Sequence, residues 1–435
     1  MMQAEHSEAQ YWQAGRWQAG SPPQLAGTVA TDCHVPGLVN AHSHAFQRAM
    51  AGAAEFRTPA AGADSFWSWR QTMYDLAARF DPDTLHAVAA QAYLEMLEAG
   101  YTQVCEFHYL HLQPDGRPYA DAAAMSHALL AAAREVGIGI TLLPVLYLQG
   151  GFDGRALAPQ QRRFGLALDA FLALVATLRR QEDAQVRIGI ALHSLRAVPA
   201  AALQAVLQSG LAERGPLHMH ISEQTAEVEQ CLAHTGQRPV AWLLDHAAVD
   251  ARWCLVHATH MDADETARLA RSGAVVALCP STEANLGDGL FPLGAFLSRG
   301  GRIAIGSDSN ISISPIEELR WLEYGQRLLL RARNLAADAA QPHSGARLFE
   351  RAHAGGVQAA GVDAQAAGWL GVDRAHPLLS GARGDALFDR LLFAGNVPLL
   401  REVHAAGAWR VRAGAHPARA AVAVRYRAAL ARLCG

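Results

Sequence analysis

Pro36-Gly37-Leu38-Val39-Asn40-Ala41-His42-Ser43-His44 is an apolar run that ends in two histidines separated by one residue. Residues two apart on a strand share one face, so both imidazoles can enter one coordination sphere. The same layout recurs down the chain. His218-Met219-His220-Ile221-Ser222-Glu223, Leu255-Val256-His257, Leu278-Cys279-Pro280-Ser281-Thr282 and Gly306-Ser307-Asp308-Ser309 each place polar residues at the C-terminal end of a strand-like run. A barrel of parallel strands gathers such ends at one mouth. Three histidines and one carboxylate suit zinc or a similar divalent metal. A further Glu and a further His remain for proton transfer, which is a hydrolase's equipment.

Working outward, apolar strand-like runs are read near 101–107, 138–146, 186–192, 215–221, 252–257, 274–279 and 302–306. Helical-period stretches separate them, near 84–99, 121–136, 163–180, 199–213, 224–234, 239–246 and 262–272. Alternation of this kind implies βαβ units and a parallel sheet. With the strand leading into His42 the count is eight, which closes into a (β/α)₈ TIM-like barrel with its site at the C-terminal strand ends. Gly100, Gly137, Gly215, Gly273 and Gly301 precede strands and are read as helix-terminating glycines. Residues 315–336 read as one long helix. Trp12, Trp17 and Val29 fit short strands, Ala386-Leu387-Phe388, Arg390-Leu391-Leu392-Phe393 and Trp409–Arg412 further helical turns and short strands, and 416–433 a helix. The small-residue stretch at 60–63 is too short for a disordered linker.

Composition narrows the function. Of 435 residues, 51% are hydrophobic and 18% charged, with a formal net charge of -3. That balance supports a sizeable core and offers no basic stripe for nucleic acid or an anionic membrane. No apolar run reaches the ~20 residues a span requires, and the start lacks the pattern of a secretory signal. The six cysteines form no Cys-x-x-Cys pair. The expectation is a cytoplasmic protein with free thiols. The chain contains no lysine. It therefore cannot bridge two metals through a carboxylated lysine, form a Schiff base with a substrate, or place a P-loop lysine on a phosphate.

Longer motifs carry a resemblance. The His-x-His after a strand, the later His and the Ser-Asp after the last strand resemble the amidohydrolase superfamily. Within it, Asn40–Met50, Glu106-Phe107-His108-Tyr109, His193-Ser194-Leu195-Arg196, His220–Thr225 and Ser281–Gly289 resemble the N-formimidoyl-L-glutamate deiminases of histidine degradation. Leu391–Gly395 extends the match weakly. The resemblance implies a small β-sandwich-like appendage built from both termini, giving spans 1–35 for its N-terminal part, 36–372 for the barrel, and 373–435 for the C-terminal appendage and helix. It implies one divalent metal per chain, with zinc first and iron or manganese open, held by His42, His44, His220 and Asp308. Asp308 would also accept the proton of the attacking water, Glu223 would shuttle protons, and His257 would hydrogen-bond the tetrahedral centre. His218 lies deeper in its strand and reads as a core histidine. An N-cap is the commoner role for a strand-end Asp such as Asp308; the resemblance favours the ligand.

The substrate the resemblance implies, N-formimidoyl-L-glutamate, carries two carboxylates, which call for arginine. Arg196 follows the fourth strand and Arg70 lies on the long first βα loop. Gln47, Tyr109 and His193 match other polar positions of the family's pocket. Glu283 and Asn285 fall in a matching motif without a role. The implied partner is this small molecule, with no nucleic acid or membrane; a homodimer is the expected state. Two other readings remain. A deaminase of a purine, pyrimidine or other amidine would use stacking side chains such as Phe66, Trp67 and Trp69. A catalytically silent homologue would bind a ligand only.

Overall fold

The computed structural model describes residues 9–25, 31–56 and 66–435; the strand expected at Val29, the 60–63 stretch, and the side chains of Phe66 and Trp67 lie outside them. Eight parallel strands close a barrel: β1 Leu38–Ser43, β2 Tyr101–His108, β3 Gly139–Leu146, β4 spanning 186–192, β5 Leu217–Ile221, β6 Trp253–His257, β7 Val275–Leu278 and β8 Arg302–Ile305. Each strand hydrogen-bonds its neighbours in chain order, and β8 returns to β1. β4 is broken in two at Gly189, with the pieces Val186–Ile188 and Ile190–Leu192 both pairing with β3. The strands are buried almost throughout, as parallel strands covered by helices must be.

Left-handed Gly100, Gly137 and Gly273 end three of the covering helices, as expected from the sequence. Gly301 does not play that part. The left-handed residue before β8 is Gly300, with φ +79°, and Gly301 lies under the Phe296 ring, where a Cβ would come within 2.4 Å of it. The long helix is also shorter than expected. It spans Pro315–Leu330 and ends at Arg331, in the left-handed region. The chain then folds back, and the buried Glu323 carboxylate accepts the N–H groups of Leu335 and Ala336. That buried acceptor competes successfully with continued helix.

Among the described residues, a second sheet of six strands flanks the barrel. Its order is Ala408–Val411, Leu400–Ala405, Trp369–Val372, Cys33–Pro36, Gln10–Gln13 and Arg16–Ala19. Both ends of the chain contribute, and Trp369–Val372, at the edge of the 36–372 span, pairs here with Cys33–Pro36. Helix Ser344–Ala360 closes over β1 and β8. A Cβ at Gly355 would meet Ile303 O at 1.9 Å, so only glycine lets the helix come this near. Helix Arg419–Cys434 ends the chain. Among the described residues, no helix is long and apolar enough to cross a membrane, and all six cysteines are free.

Candidate active site

The end of β1 and the turn after β8 are clasped by backbone. His44 N–H donates to Asp308 O and Asp308 N–H to His42 O, each at 2.9 Å. Asn40 explains its place in the motif: its amide bridges Ser307 through both Oδ1 (3.0 Å) and Nδ2 (2.6 Å). The clasp brings Asp308 Oδ1 to 3.3 Å from Nε2 of both His42 and His44. His220, at the end of β5, places its Nε2 3.0 Å from that of His42. The four donor atoms lie within 4.8 Å of one another, and all four residues are buried.

This donor set fits a divalent metal. His44 Nδ1 donates to Phe107 O at 2.9 Å and His220 Nδ1 to His193 O at 3.1 Å. Each bond fixes the tautomer that turns an Nε2 lone pair into the cluster, the usual outer support of a metal-bound imidazole. Burial holds the pKa values of His42 (about 3), His44 and His220 below the ordinary range, leaving them neutral. Burial opposes ionisation of Asp308, but His42, His44 and His257 outweigh it and hold the carboxyl well below the usual carboxylate range. Metal–donor bonds of ~2.0–2.1 Å in a tetrahedron give donor separations of roughly 3.3 Å, close to those observed.

Beside the cluster sits a second group. His257 ends β6 with φ +70°. Its Nδ1 faces Glu283 Oε1 at 3.2 Å, and its Nε2 faces Glu223 Oε1 at 3.7 Å and Asp308 Oδ2 at 3.8 Å. Burial works against an imidazolium here, yet Glu223, Glu283 and Asp308 together raise its pKa to about 10. Glu223 itself is pushed up to about 7, by burial first, with His257 opposing and Asp308 and Glu227 adding to the rise. Its backbone is held by Glu227, whose carboxylate accepts the N–H of Ser222 (3.2 Å) and of Glu223 (3.1 Å).

One cleft, with about 680 Å³ of open space including its mouth, joins these groups to the remaining candidates. His44, His220, Glu223 and Asp308 line one part, and Gln47, Arg70, Tyr109, His193 and Arg196 line another. His42 and His257 are fully buried next to it. Gln47 Nε2 donates to the Tyr109 hydroxyl at 3.0 Å. Arg70 lies on helix Phe66–Ala77, not on an open loop. The Arg196 guanidinium donates no hydrogen bond among the described residues; Tyr147 and Glu227 are its strongest electrostatic partners that favour the cation. His218 points away and meets Ala359 O at 2.8 Å.

Sequence reasoning passed over Glu227, Tyr74 and Tyr147 and gave Glu283 no role. Tyr147 directly follows β3, the same strand-end signal that marked the histidines. Tyr74 lies four residues after Arg70 on one helix, hence on the same face. Glu283 stood in a matching motif, and only the fold shows its contact with His257. Asn285, the other residue without a role, donates to Glu55 at 2.7 Å on the surface.

The amidohydrolase family model matches residues 34–369. A formimidoylglutamate deiminase of Pseudomonas aeruginosa is 50% identical over 407 residues, covering 92% of this chain and 88% of that protein. An 8-oxoguanine deaminase of the same organism is 29% identical, over 92% of this chain and 87% of its own. Among solved structures, an amidohydrolase from Brucella melitensis superposes with a TM-score of 0.89 at 44% identity, covering 97% of this chain and 94% of that one.

Proposed function

Because this chain belongs to the amidohydrolase family, we propose that it hydrolyses N-formimidoyl-L-glutamate to N-formyl-L-glutamate and ammonia, a step of histidine degradation, with one divalent metal per chain, zinc by preference. The observation that carries this reading is the single cleft that joins a His₃Asp donor cluster to two arginines. The 50% identity to a formimidoylglutamate deiminase supports it. Six free thiols, five of them buried, fit a reducing, cytoplasmic setting.

His42, His44, His220 and Asp308 would hold the metal. Bound there, a divalent ion supplies a Lewis acid that lowers the pKa of a water to about 7. Asp308 Oδ2, the oxygen turned toward His257, takes a proton from the attacking water. The water oxygen bonds to the formimidoyl carbon, and the bond from that carbon to the terminal nitrogen breaks. Both water hydrogens end on this nitrogen, which leaves as ammonia. Glu223, with a pKa of about 7, suits this shuttle, since a catalytic pKa near the working pH serves both directions of transfer. His257 Nε2 faces both carboxylates and donates to the oxygen of the tetrahedral carbon. Arg70 and Arg196 meet the carboxylates as charge-assisted donors. The test is ammonia release by the purified protein from N-formimidoyl-L-glutamate, guanine, cytosine and adenosine. Release from a base but not from the amidine would defeat the reading.

A further inference from the structure

The arginines are not the only donors on the cleft wall. Gln161 lies on the 3-10 turn Pro159–Phe164, in the connection after β3, and is buried. Its Oε1 accepts the Ala158 N–H at 2.9 Å. An amide nitrogen in that place would face another N–H, so the backbone sets which way the amide points. Nε2 then lies 3.2 Å from the Tyr74 hydroxyl and 2.9 Å from the Tyr147 hydroxyl. It carries two hydrogens, one for each phenol oxygen, and no lone pair to offer in return. Each tyrosine therefore accepts from Gln161, and its own O–H hydrogen must point elsewhere.

Neither hydroxyl has a second hydrogen-bond partner among the described residues. Both tyrosines line the cleft that Arg70 and Arg196 line. The Arg70 guanidinium carbon is 5.5 Å from the centre of the Tyr74 ring. Both arginines also act electrostatically on the Tyr147 hydroxyl. The result is a set of donors turned toward one place. A carboxylate is an acceptor only, with about four lone-pair sites. It matches such a set, whereas the edge of a nucleobase mixes donors with acceptors.

We propose that Gln161 turns the phenol hydrogens of Tyr74 and Tyr147 into the cleft, where with Arg70 and Arg196 they seat one carboxylate of the substrate. Gln161 is a positioning residue, and the two tyrosines touch the substrate. The proposal rests on the dicarboxylate reading above.

The experiment uses the metal-loaded enzyme and two readouts: calorimetric binding of glutarate, a plain dicarboxylate, and KM for N-formimidoyl-L-glutamate. Tyr74→Phe and Tyr147→Phe should each weaken glutarate and raise KM by roughly 10-fold, as loss of a hydrogen bond to a charged group does. The loss should fall on KM more than on kcat, with metal content unchanged. Gln161→Met should weaken glutarate in the wild-type background and have no further effect in the Tyr74→Phe/Tyr147→Phe background. Wild-type glutarate affinity and KM in both phenylalanine variants overturn the proposal. So does a Gln161→Met loss that persists without the hydroxyls, because Gln161 would then serve only the fold. If Gln161→Met does not fold, the phenylalanine variants still decide whether the seat exists. Glutarate binding with the expected pattern but no turnover of the amidine keeps the seat and rejects the reaction. Turnover with unaltered phenylalanine variants keeps the reaction and rejects the seat. A wild type that neither binds glutarate nor turns over rejects both.

Discussion

Glu283 offers the sharpest test of how the site is tuned, because one oxygen does two jobs. Its Oε1 accepts the Cys279 N–H at 2.9 Å and faces His257 Nδ1 at 3.2 Å. Glu283 is 5% exposed and His257 fully buried, so solvent screens their interaction little. Glu283→Gln keeps an acceptor oxygen in place and removes only the charge. The Nδ1–H bond then runs to a neutral acceptor, and the imidazolium loses a carboxylate partner. A hydrogen bond to a charged group is worth about 1.5–3 kcal/mol against about 1 for a neutral one. Since His257 is read as a donor in the transition state, kcat/KM should fall roughly 2- to 30-fold with KM little changed. Glu283→Ala removes the acceptor as well. His257 loses its Nδ1 acceptor, and Cys279 N–H is left buried without a partner, costing a further ~1–3 kcal/mol of stability. The assay is steady-state ammonia release, with metal content and thermal unfolding measured on the same preparations. Wild-type turnover by Glu283→Gln would refute the charge argument. Glu283→Ala that melts earlier but keeps its kcat would show that the carboxylate serves the β7 turn and not His257.

Four further outcomes are expected. Chelation should abolish activity and about one equivalent of divalent metal restore it; two tightly bound metals, both required, would contradict a single His₃Asp site. Glu223→Gln and Asp308→Asn should each lower kcat by ~10²–10⁴, but only Asp308→Asn should weaken metal retention. Arg196→Met should cost about 2–5 kcal/mol with the dicarboxylate substrate and little with an analogue lacking the carboxylate it meets, and equal losses on both would make Arg196 a structural residue. Burial raises the Glu106 carboxyl to about 8, against its backbone and side-chain hydrogen bonds; the folded state thus holds a proton the unfolded chain releases above about 4.5, and stability should decline between those pH values by up to ~1.4 kcal/mol per unit. Denaturant unfolding at pH 5 and pH 8 would reveal the slope, and Glu106→Gln should flatten it.

Much of this molecule is legible in its sequence because the signals are local. Each barrel strand is a short apolar run, most are introduced by glycine, and the polar residues that follow fall at one rim by topology alone. His42, His44, His220 and Asp308 converge for that reason, although the residues from His42 to Asp308 span most of the barrel. Signals that depend on a distant acceptor are not legible. The helix from Pro315 continues in pattern to 336, yet the buried Glu323 carboxylate captures the backbone at Leu335 and Ala336 and turns it back. Gly300 and Gly301 are indistinguishable until Phe296 occupies the space over one of them. Gln161 has no motif at all. Its use comes from two tyrosines on different elements and from one backbone N–H three residues before it.

The strand ends themselves show why site and barrel are inseparable. Ser222, His257 and Asp308 have φ of +51°, +70° and +44°, in a region that costs a residue with a side chain ~1–3 kcal/mol. Three such residues together cost about 3–9 kcal/mol, comparable with the ~5–15 kcal/mol net stability of a whole domain. Specific bonds offset this. Asp308 is clasped to His42 and His44, Ala258 N–H reaches Ile221 O at 2.9 Å, and His260 N–H reaches Ser222 O at 3.1 Å. Each of these bonds joins the end of one strand to the loop of another. The bent backbone aims the side chains at one another, and the neighbouring strand holds the bend. A substitution that loosens any one of these ends should therefore show first in catalysis, through misaligned side chains, and only later in global unfolding.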